Sequence, residues 1–436
     1  MRVEITVRIE GREVGKVEET LTGAAAEFEE QTLRVQQRVG RIVLENGFND
    51  IAHRTDHPEC CGHSMQNRGV RCLTIQTVAG EVVIERNRYL CPKCGRYATP
   101  ADASLCFGKH RISQPLAKRI CQLATVEHWT RLEQMLADQH GVHVGHDEML
   151  ELVHEAGGEA ERQRRSETDA FQAVPADQRI WPEPEQTPSR LYVSCDGIMY
   201  CTNQSEPDPQ HPKRRRLIWQ QMKVGCVYWQ DAKENWHKRI IWGRESPEEF
   251  GAALFRLACR YGYRQAKEKI FAADGGDWCW DIQSRYFPDA TGILDWYHAS
   301  EHVWEAARAL HPTSDAASDW ANQALKQMRL RGGKGLTEWL RSEAVQVSPR
   351  KRKILMKLIN YIEPRQWQTE YPRYRVHQWQ IGSGMIESNA KQLVGVRLKG
   401  PGMHWTEKGA LAMTALRAHD LNGNWHSFWK TLTIAV

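Results

Sequence analysis

No stretch of this chain is apolar for anything near the roughly 20 residues that a helix needs to cross a bilayer. The opening MRVEITVRIEGREVG is interrupted by acids where a secretory signal requires an apolar core. These absences exclude a membrane-spanning or secreted class and predict a cytoplasmic protein with no membrane partner. An excess of one charge is missing too: 59 lysines and arginines against 54 aspartates and glutamates leave a formal net charge of +5. That balance permits a nucleic-acid partner without demanding one, because so small a charge serves solubility equally well. In a reducing compartment the twelve cysteines read as buried thiols or metal ligands, and a disulfide scaffold is set aside. What is present is ordinary for a folded protein: 436 residues, 41% hydrophobic and 26% charged, enough for two or three domains with sizeable cores.

The first segment, 1–112, opens with Val3, Ile5, Val7 and Ile9 alternating against polar neighbours, a half-buried strand over 3–9. From about 22 to 47, Phe28, Val35, Val39, Ile42 and Val43 fall on one face of an amphipathic helix. The stretch HPECCGHSMQNRGVRCLTIQTVAGEVVIERNRYLCPKCGRYATP then reads as a hairpin turning near Ala79-Gly80, with cysteine-bearing turns at both ends. That is the layout of a zinc ribbon, in which two ligand pairs on tight turns converge on one ion. Cys91 and Cys94 make a regular second knuckle. The first is irregular: Cys60 with His63 fits the spacing, His57 with Cys60 fits it as well, and Cys61 can substitute for Cys60. The preferred set is Cys60, His63, Cys91 and Cys94 around a structural Zn2+, weighed against a metal-free knuckle that keeps its shape by packing. Cys72 is read as a buried strand residue.

Residues 113–160 turn helical: QPLAKRICQLATVEHW, TRLEQMLADQH, a turn at GVHVG, then HDEMLELVHEAGG. Helices joined by a glycine turn suggest a helix-turn-helix whose last helix, about 146 to 156, would enter a major groove. Any packed helical hairpin has the same spacing, and Asp147, Glu148, Glu151 and Glu155 argue against strong phosphate contact. Over 161–190 periodicity is lost and proline accumulates, the mark of an exposed linker.

After the linker the order of elements is informative. Over 191–310, strands at 191–196, 217–229 and 237–242 precede a helix marked by Ser246, Pro247 and Glu249, a capping box with proline at its first position. A strand at 268–274, a helix, a strand at 290–295 and a further helix complete a βββαβαβα order. This α/β order is the ribonuclease H-like plan, in which the first and fourth strands lie side by side. Open α/β sheets bind ligands beyond their strand ends. Two acids stand there: Asp196 in YVSCDG and Asp274 in IFAADGGDW, each after an apolar run and before glycine. A lone Asp-Gly is usually a turn, but two such acids at neighbouring strand ends would repel unless a cation sat between them. Mg2+ or Mn2+, hard ions with oxygen ligands, suit that need. Glu387 in IGSGMIESN is the candidate third ligand of a two-ion site, at the start of a helix after Gly382 and Gly384, where the lack of side chains admits close approach. Residues 311–380 show helical patterns without strand alternation, an all-helical insertion rich in lysine and arginine, and 381–436 return to the core.

Asp196 in YVSCDG, Asp274 in AADGGDW, Asp295 and His298 in ILDWYHASEH, and Glu387 in GSGMIESN together resemble a bacterial insertion-sequence transposase with an Asp-Asp-Glu site. The group it resembles is ISKra, related to the Mutator-like transposases. The resemblance covers most of the chain, since that group also carries a cysteine-knuckle segment and a helix-turn-helix before its catalytic domain. It implies that Asp196, Asp274 and Glu387 bind two divalent ions and that Asp295 and His298 position DNA or brace the site, weighed against a strand-end acid that caps the next helix with His298 packed under it. It implies a DNA transposase that cuts the ends of an insertion sequence and joins them to target DNA, acting on terminal repeats as a homodimer or higher oligomer. Arg397 and Lys399 in VRLKGPG, and Arg214, Arg215 and Arg216 in HPKRRR, are expected to reach phosphates. Among seventeen tryptophans, Trp278, Trp280 and Trp296 stand beside the expected site, as stacking faces or as core. Two other readings compete: a non-catalytic DNA-binding regulator or domesticated transposase, and a structure-selective nuclease that never joins.

Overall fold

The computed structural model describes residues 1–105, 109–175, 178–179, 181, 183–211, 213–345 and 347–432. They fall into two compact units, one of residues 1–159 joined by the C-terminal residues from 426, the other of 160–425.

In the first unit, β1 (Arg2–Ile9) and β2 (Arg12–Thr20) form an antiparallel hairpin. Val17 and Leu21 pack there with Val35, Val39 and Ile42 of α1 (Ala25–His53). The second strand has no counterpart in the sequence reading, because REVGKVEET buries only Val17 and carries charge at most other positions. Two short strands, β3 (Glu59–Cys60) and β4 (His63–Ser64), lead to β5 (Gln66–Thr77), β6 (Gly80–Leu90) and β7 (Tyr97–Ala98), a three-stranded sheet. Thr77 pairs with Gly80, whose φ of 108° suits glycine, so the hairpin turns where expected. Ile75, Val82 and Ile84 form its buried face. Cys72 corrects an expectation: it is exposed, because strand alternation places it with Thr74 on the face opposite Ile75.

After α2 (Ala101–Leu105) come α3 (Gln114–Ala124), α4 (Trp129–His140) and α5 (His146–Ala173). The Ser113 hydroxyl caps α3 by accepting from the Leu116 amide, and Gly141 ends α4 at φ 63°. Helix α5 does not stop near 156; it runs 28 residues, through half of the stretch expected to be linker. Its second half buries charge instead of hydrocarbon. Arg164 pairs with Glu161 at 2.8 Å and Glu245 at 2.7 Å, and the Trp242 indole donates to Glu161 at 2.9 Å. A helix face built from ion pairs leaves no apolar period to read.

The second unit is built on one mixed sheet of β8 (Arg190–Pro207), β9 (Arg215–Gln230), β10 (Trp236–Gly243), β11 (Glu268–Ala273) and β12 (Thr291–Leu294), in the order β10-β9-β8-β11-β12. β8, β9 and β10 are antiparallel neighbours, whereas β11 runs parallel to β8 and β12. The first and fourth strands are therefore adjacent, as the element order predicts. Helices α6 (Pro247–Arg260) and α7 (Asp277–Tyr286) supply Phe250, Leu254, Cys279 and Ile282 to a core with Val193, Val227 and Phe271. Helix α6 starts as its sequence requires, Ser246 and Glu249 exchanging a reciprocal capping box.

α8 (Trp296–Leu310) follows β12, and helices occupy the next segment: α9 (Ser314–Val345), bent at Gly332 with φ 66°, α10 (Pro349–Ile362), a 3-10 turn over Glu363–Gln368 and α11 (Tyr371–Val376). The segment is fastened to the sheet by two buried hydroxyls, Tyr371 donating to the Leu294 carbonyl at 2.9 Å and Tyr374 to that of Gly292 at 3.1 Å. Helix α12 (Gly384–Ala390) then returns to β8 and β9. One π-helical turn (Lys391–Gly395), α13 (Val396–Leu398), α14 (Glu407–Leu421) and α15 (Trp425–Thr431) follow. Among the described residues no helix is long and apolar enough to cross a membrane.

Candidate active site and cysteine group

The register of β8 against β11 pairs Ser194 with Ala272, so the residues two further along each strand direction are Asp196 and Asp274. Both line a cavity of about 300 Å3, together with Glu387, His298, Tyr297 and Ser383. The three acids selected in the sequence thus open onto one space, although nearly two hundred residues separate the first from the last.

Each acid is held differently. The Asp196 carboxylate accepts from the Gly197 amide at 2.6 Å. Burial pushes its carboxyl up to about 6, reinforced by the charges of Asp274 and Glu387 and opposed by the Gly197 amide and His298. Asp274 accepts from the Gly276 amide at 3.0 Å. Its turn is braced by the insertion: Arg365 donates to the Gly275 carbonyl at 3.0 Å and to Asp277 at 2.8 Å. A Cβ on Gly275 would stand 2.5 Å from the Tyr361 hydroxyl, so glycine is required there by close approach.

Glu387 is positioned from the neighbouring strand end. Asp295, 1% exposed, accepts the His298 amide at 2.6 Å and, with its second oxygen, the Ser383 amide. The Trp296 amide donates to the Ile381 carbonyl at 2.8 Å. The Ser383 hydroxyl in turn donates to Glu387 Oε1 at 2.7 Å. Asp295 therefore ties the end of β12 and the first turn of α8 to the segment that delivers Glu387. Ser383 had no place in the sequence reading, although its position four residues before Glu387 on one helical turn was a signal for it. Of the two glycines expected to make room, Gly382 does, since a Cβ would meet the Tyr297 ring at 2.8 Å, whereas Gly384 has open space. The His298 ring lies edge-on to His302 with centroids 5.1 Å apart.

The residues expected on phosphates divide. Arg397 is 3% exposed, with its guanidinium 5.1 Å from the centre of the Trp405 ring, so packing has taken the group that a basic tail would offer to DNA. Lys399 is exposed. Arg215 and Arg216 belong to strand β9, where Arg215 donates to the Ser205 hydroxyl at 2.8 Å and Arg216 pairs with Glu206 at 2.6 Å; Arg214 sits in the turn before them. Trp278 and Trp280 pack against the core of the sheet, and Trp296 meets Tyr371 edge to face, so all three serve as packing.

In the first unit, the thiols of Cys60, Cys61, Cys91 and Cys94 gather with their sulfurs all within 4.8 Å of one another. Cys60 lies 3.7 Å from Cys94 and 3.8 Å from Cys61. His63, expected as the fourth ligand, is outside this group, and His57 is turned to the Ser64 hydroxyl at 3.1 Å. The reason is local: Cys61 and Gly62 both have positive φ, 52° and 75°, and that left-handed turn brings Cys61 toward the second knuckle. The Cys91 thiol is drawn down to about 7 by the amides of Cys94 and Lys93, while hydrogen bonding from Cys94 and Cys61 pushes Cys60 up to about 12. Four sulfur donors at this spacing could bind a structural metal such as zinc.

No family model matches the chain, and no curated protein matches it. Among solved structures it is similar to the Drosophila P element transposase strand transfer complex, with a TM-score of 0.25 and 7% identity over 74% of this chain and 81% of that one. At so low a score the likeness fixes neither fold nor function, and the chemistry rests on the cavity.

Proposed function

We propose that the second unit is a ribonuclease H-like catalytic domain and that the protein is a DNA transposase of the ISKra type, breaking and rejoining phosphodiesters. One observation carries this: Asp196, Asp274 and Glu387, from three separate elements, face one cavity in which Asp196 already resists ionisation. Such a cavity needs a cation, and an all-oxygen donor set selects a hard one, Mg2+ or Mn2+, over the softer metals. Two such ions, when bound, supply an activated hydroxyl on one side of a phosphodiester and charge neutralisation on the other.

The chain's own groups do the rest. Ser383 fixes one rotamer of Glu387, Asp295 fixes Ser383, and Arg365 with Tyr361 fixes the turn of Asp274. His298 stands in the wall, able to donate to a phosphate oxygen. Hydrolysis at an element end frees a 3′-hydroxyl, which attacks target DNA by transesterification. Phosphodiester exchange is nearly isoenergetic, so no further cofactor is needed. Two ends imply at least a homodimer. The four-thiol group holds Zn2+ as a structural ion at one end of the β5-β6 hairpin, and the helical segment α3–α5 contacts the terminal repeat.

The test is to incubate the protein with DNA carrying the inverted repeats that flank its gene, a target plasmid and Mg2+. Joined products support the transposase reading. Cutting without joining would mean a nuclease, and binding alone a regulator. Asp274→Ala should abolish cutting and retain binding; a variant that still cuts means the site is misassigned.

A further inference from the structure

Strands β8 and β9 are far longer than the sheet that contains them. β11 covers β8 only over Arg190–Ser194, and β10 covers β9 only from Lys223 onward. Beyond Asp196 the two strands continue as a two-stranded arm, paired from Gly197↔Lys223 out to Pro207↔Arg215. One face of the arm is closed: Tyr200 and Met222 are buried, and Trp405 bridges the edge at Thr202. The other face is open. Met199, Gln221, Trp219, Leu217 and Arg215 are exposed on that face, whereas Cys201, paired with Trp219, is buried. Met199 is 41% exposed, Leu217 38% and Trp219 51%.

A strand that displays tryptophan, methionine and leucine to solvent while its reverse face is buried has been kept open for a partner. The arm also says what the partner carries. Its outer end holds Lys213, Arg214, Arg215 and Arg216 against two acids, Glu206 and Asp208, and among the described residues only Arg216 of these cations is paired to a carboxylate. A basic end followed by an exposed aromatic fits a polyanion with flat faces. From Arg215 to Trp219 is four residues, about 13 Å at roughly 3.3 Å each, or the length of about four base steps at 3.4 Å. The arm leaves the sheet at Gly197, next to the acid that begins the cavity; alternation puts Asp196 on the closed face with Tyr200, so a strand leaving the cavity would reach Trp219 around the edge of the arm.

We infer that this arm binds the DNA strand flanking the cut, its arginines on the phosphates and the Trp219 ring stacked on an unpaired base. The inference rests on the reading of the protein as a transposase and adds a demand of its own: recognition of a strand opened beside the cut. Aromatic stacking tolerates every base, so the arm contributes affinity for opened DNA and no sequence preference.

The experiment uses the full chain and two labelled oligonucleotides in fluorescence anisotropy: a fully paired terminal repeat, and the same repeat with a short single-stranded tail. The wild-type protein should prefer the tailed form. Trp219→Ala should weaken binding to it about 5- to 150-fold, Trp219→Phe should restore most of the loss, and both should leave the paired form unchanged. Arg214→Ala with Arg215→Ala should weaken both forms alike and lower the salt dependence by nearly one for each phosphate no longer neutralised. Circular dichroism checks that each variant is folded. If Trp219→Ala binds the tailed form as wild type does, or loses both forms equally, the stacking site is wrong even if Asp274-dependent cutting persists. A shift of Trp219→Ala to a smaller species in light scattering, with DNA affinity intact, would assign the face to a second copy and overturn the inference. Absence of any DNA binding by the wild type would remove the arm's role and the transposase reading together.

Discussion

The Ser383 hydroxyl donates to Glu387 Oε1 at 2.7 Å, while the Ser383 amide is held by buried Asp295. One serine thus transmits the position of a strand end to the last acid of the cavity. Removing the hydroxyl should free Glu387 to sample other rotamers without disturbing the core.

Ser383→Ala is therefore expected to lower the cutting rate about tenfold, the loss of one hydrogen bond to a charged group at roughly 1.4 kcal/mol. The melting temperature should stay close to wild type, and the Mg2+ concentration for half-maximal rate should rise. Ser383→Thr should recover most of both. A drop in stability with an unchanged Mg2+ requirement would reduce Ser383 to a structural cap.

Asp196 is expected to set stability against function. Its folded value of about 6 lies above the ordinary 3.8, so the proton is bound more tightly in the folded state. The destabilisation it causes is absent below the unfolded value, grows as pH rises between the two, and is complete above about 6. In metal-free buffer at pH 7.5, Asp196→Asn should therefore stabilise the protein by something on the order of 2 kcal/mol, while abolishing cutting. Mg2+ should raise the wild-type melting temperature at pH 7.5 and not at pH 5. Equal Mg2+ effects at both values, measured by differential scanning fluorimetry, would contradict this account of the cavity.

For the cysteine group, the spatial arrangement and the sequence spacing make opposite forecasts. Cys61→Ser should lower bound zinc in purified protein well below one equivalent, whereas His63→Ala should leave it unchanged. Inductively coupled plasma spectrometry decides between them, and loss of metal in His63→Ala alone would restore the histidine as ligand.

Arg397 and Lys399, two residues apart, should behave as different kinds of residue. Arg397→Ala removes a buried guanidinium from the Trp405 ring and should cost about 2 kcal/mol of stability, read by urea unfolding. Lys399→Ala should leave stability within about 0.5 kcal/mol. If Lys399 touches a phosphate, its removal reduces the slope of log affinity against log salt by about one.

These contrasts indicate what was legible in the sequence. Asp196 and Asp274 were readable because each follows an apolar run and precedes glycine; the pattern marks the end of β11 at Asp274, whereas at Asp196 the expected strand end is corrected, since β8 runs on to Pro207 and only its pairing with β11 stops there. The start of α6 was readable for a similar reason, its capping box lying within four residues. The second half of α5 was not, since Glu161 and Arg164 pack by pairing with Glu245 and Trp242, partners more than seventy residues away. Arg397 looked like part of a basic tail because Gly395 and Gly400 flank it, yet the helical backbone continues to Leu398 and turns its side chain inward. Cys61 stood only as a substitute for Cys60, not beside it, because ligand spacing is counted along the chain, whereas its left-handed backbone is a property of the turn.

The helical segment between β12 and α12 also has a consequence for the order in which the protein is made. Asp196 and Asp274 leave the ribosome well before Glu387, and at about 5–20 residues per second the third acid follows the first by roughly 10–40 s. During that interval the nascent chain can complete the central strands but not the cavity. The cavity stays incomplete until the sheet, the helices clipped to it by Tyr371 and Tyr374, and α12 have all emerged.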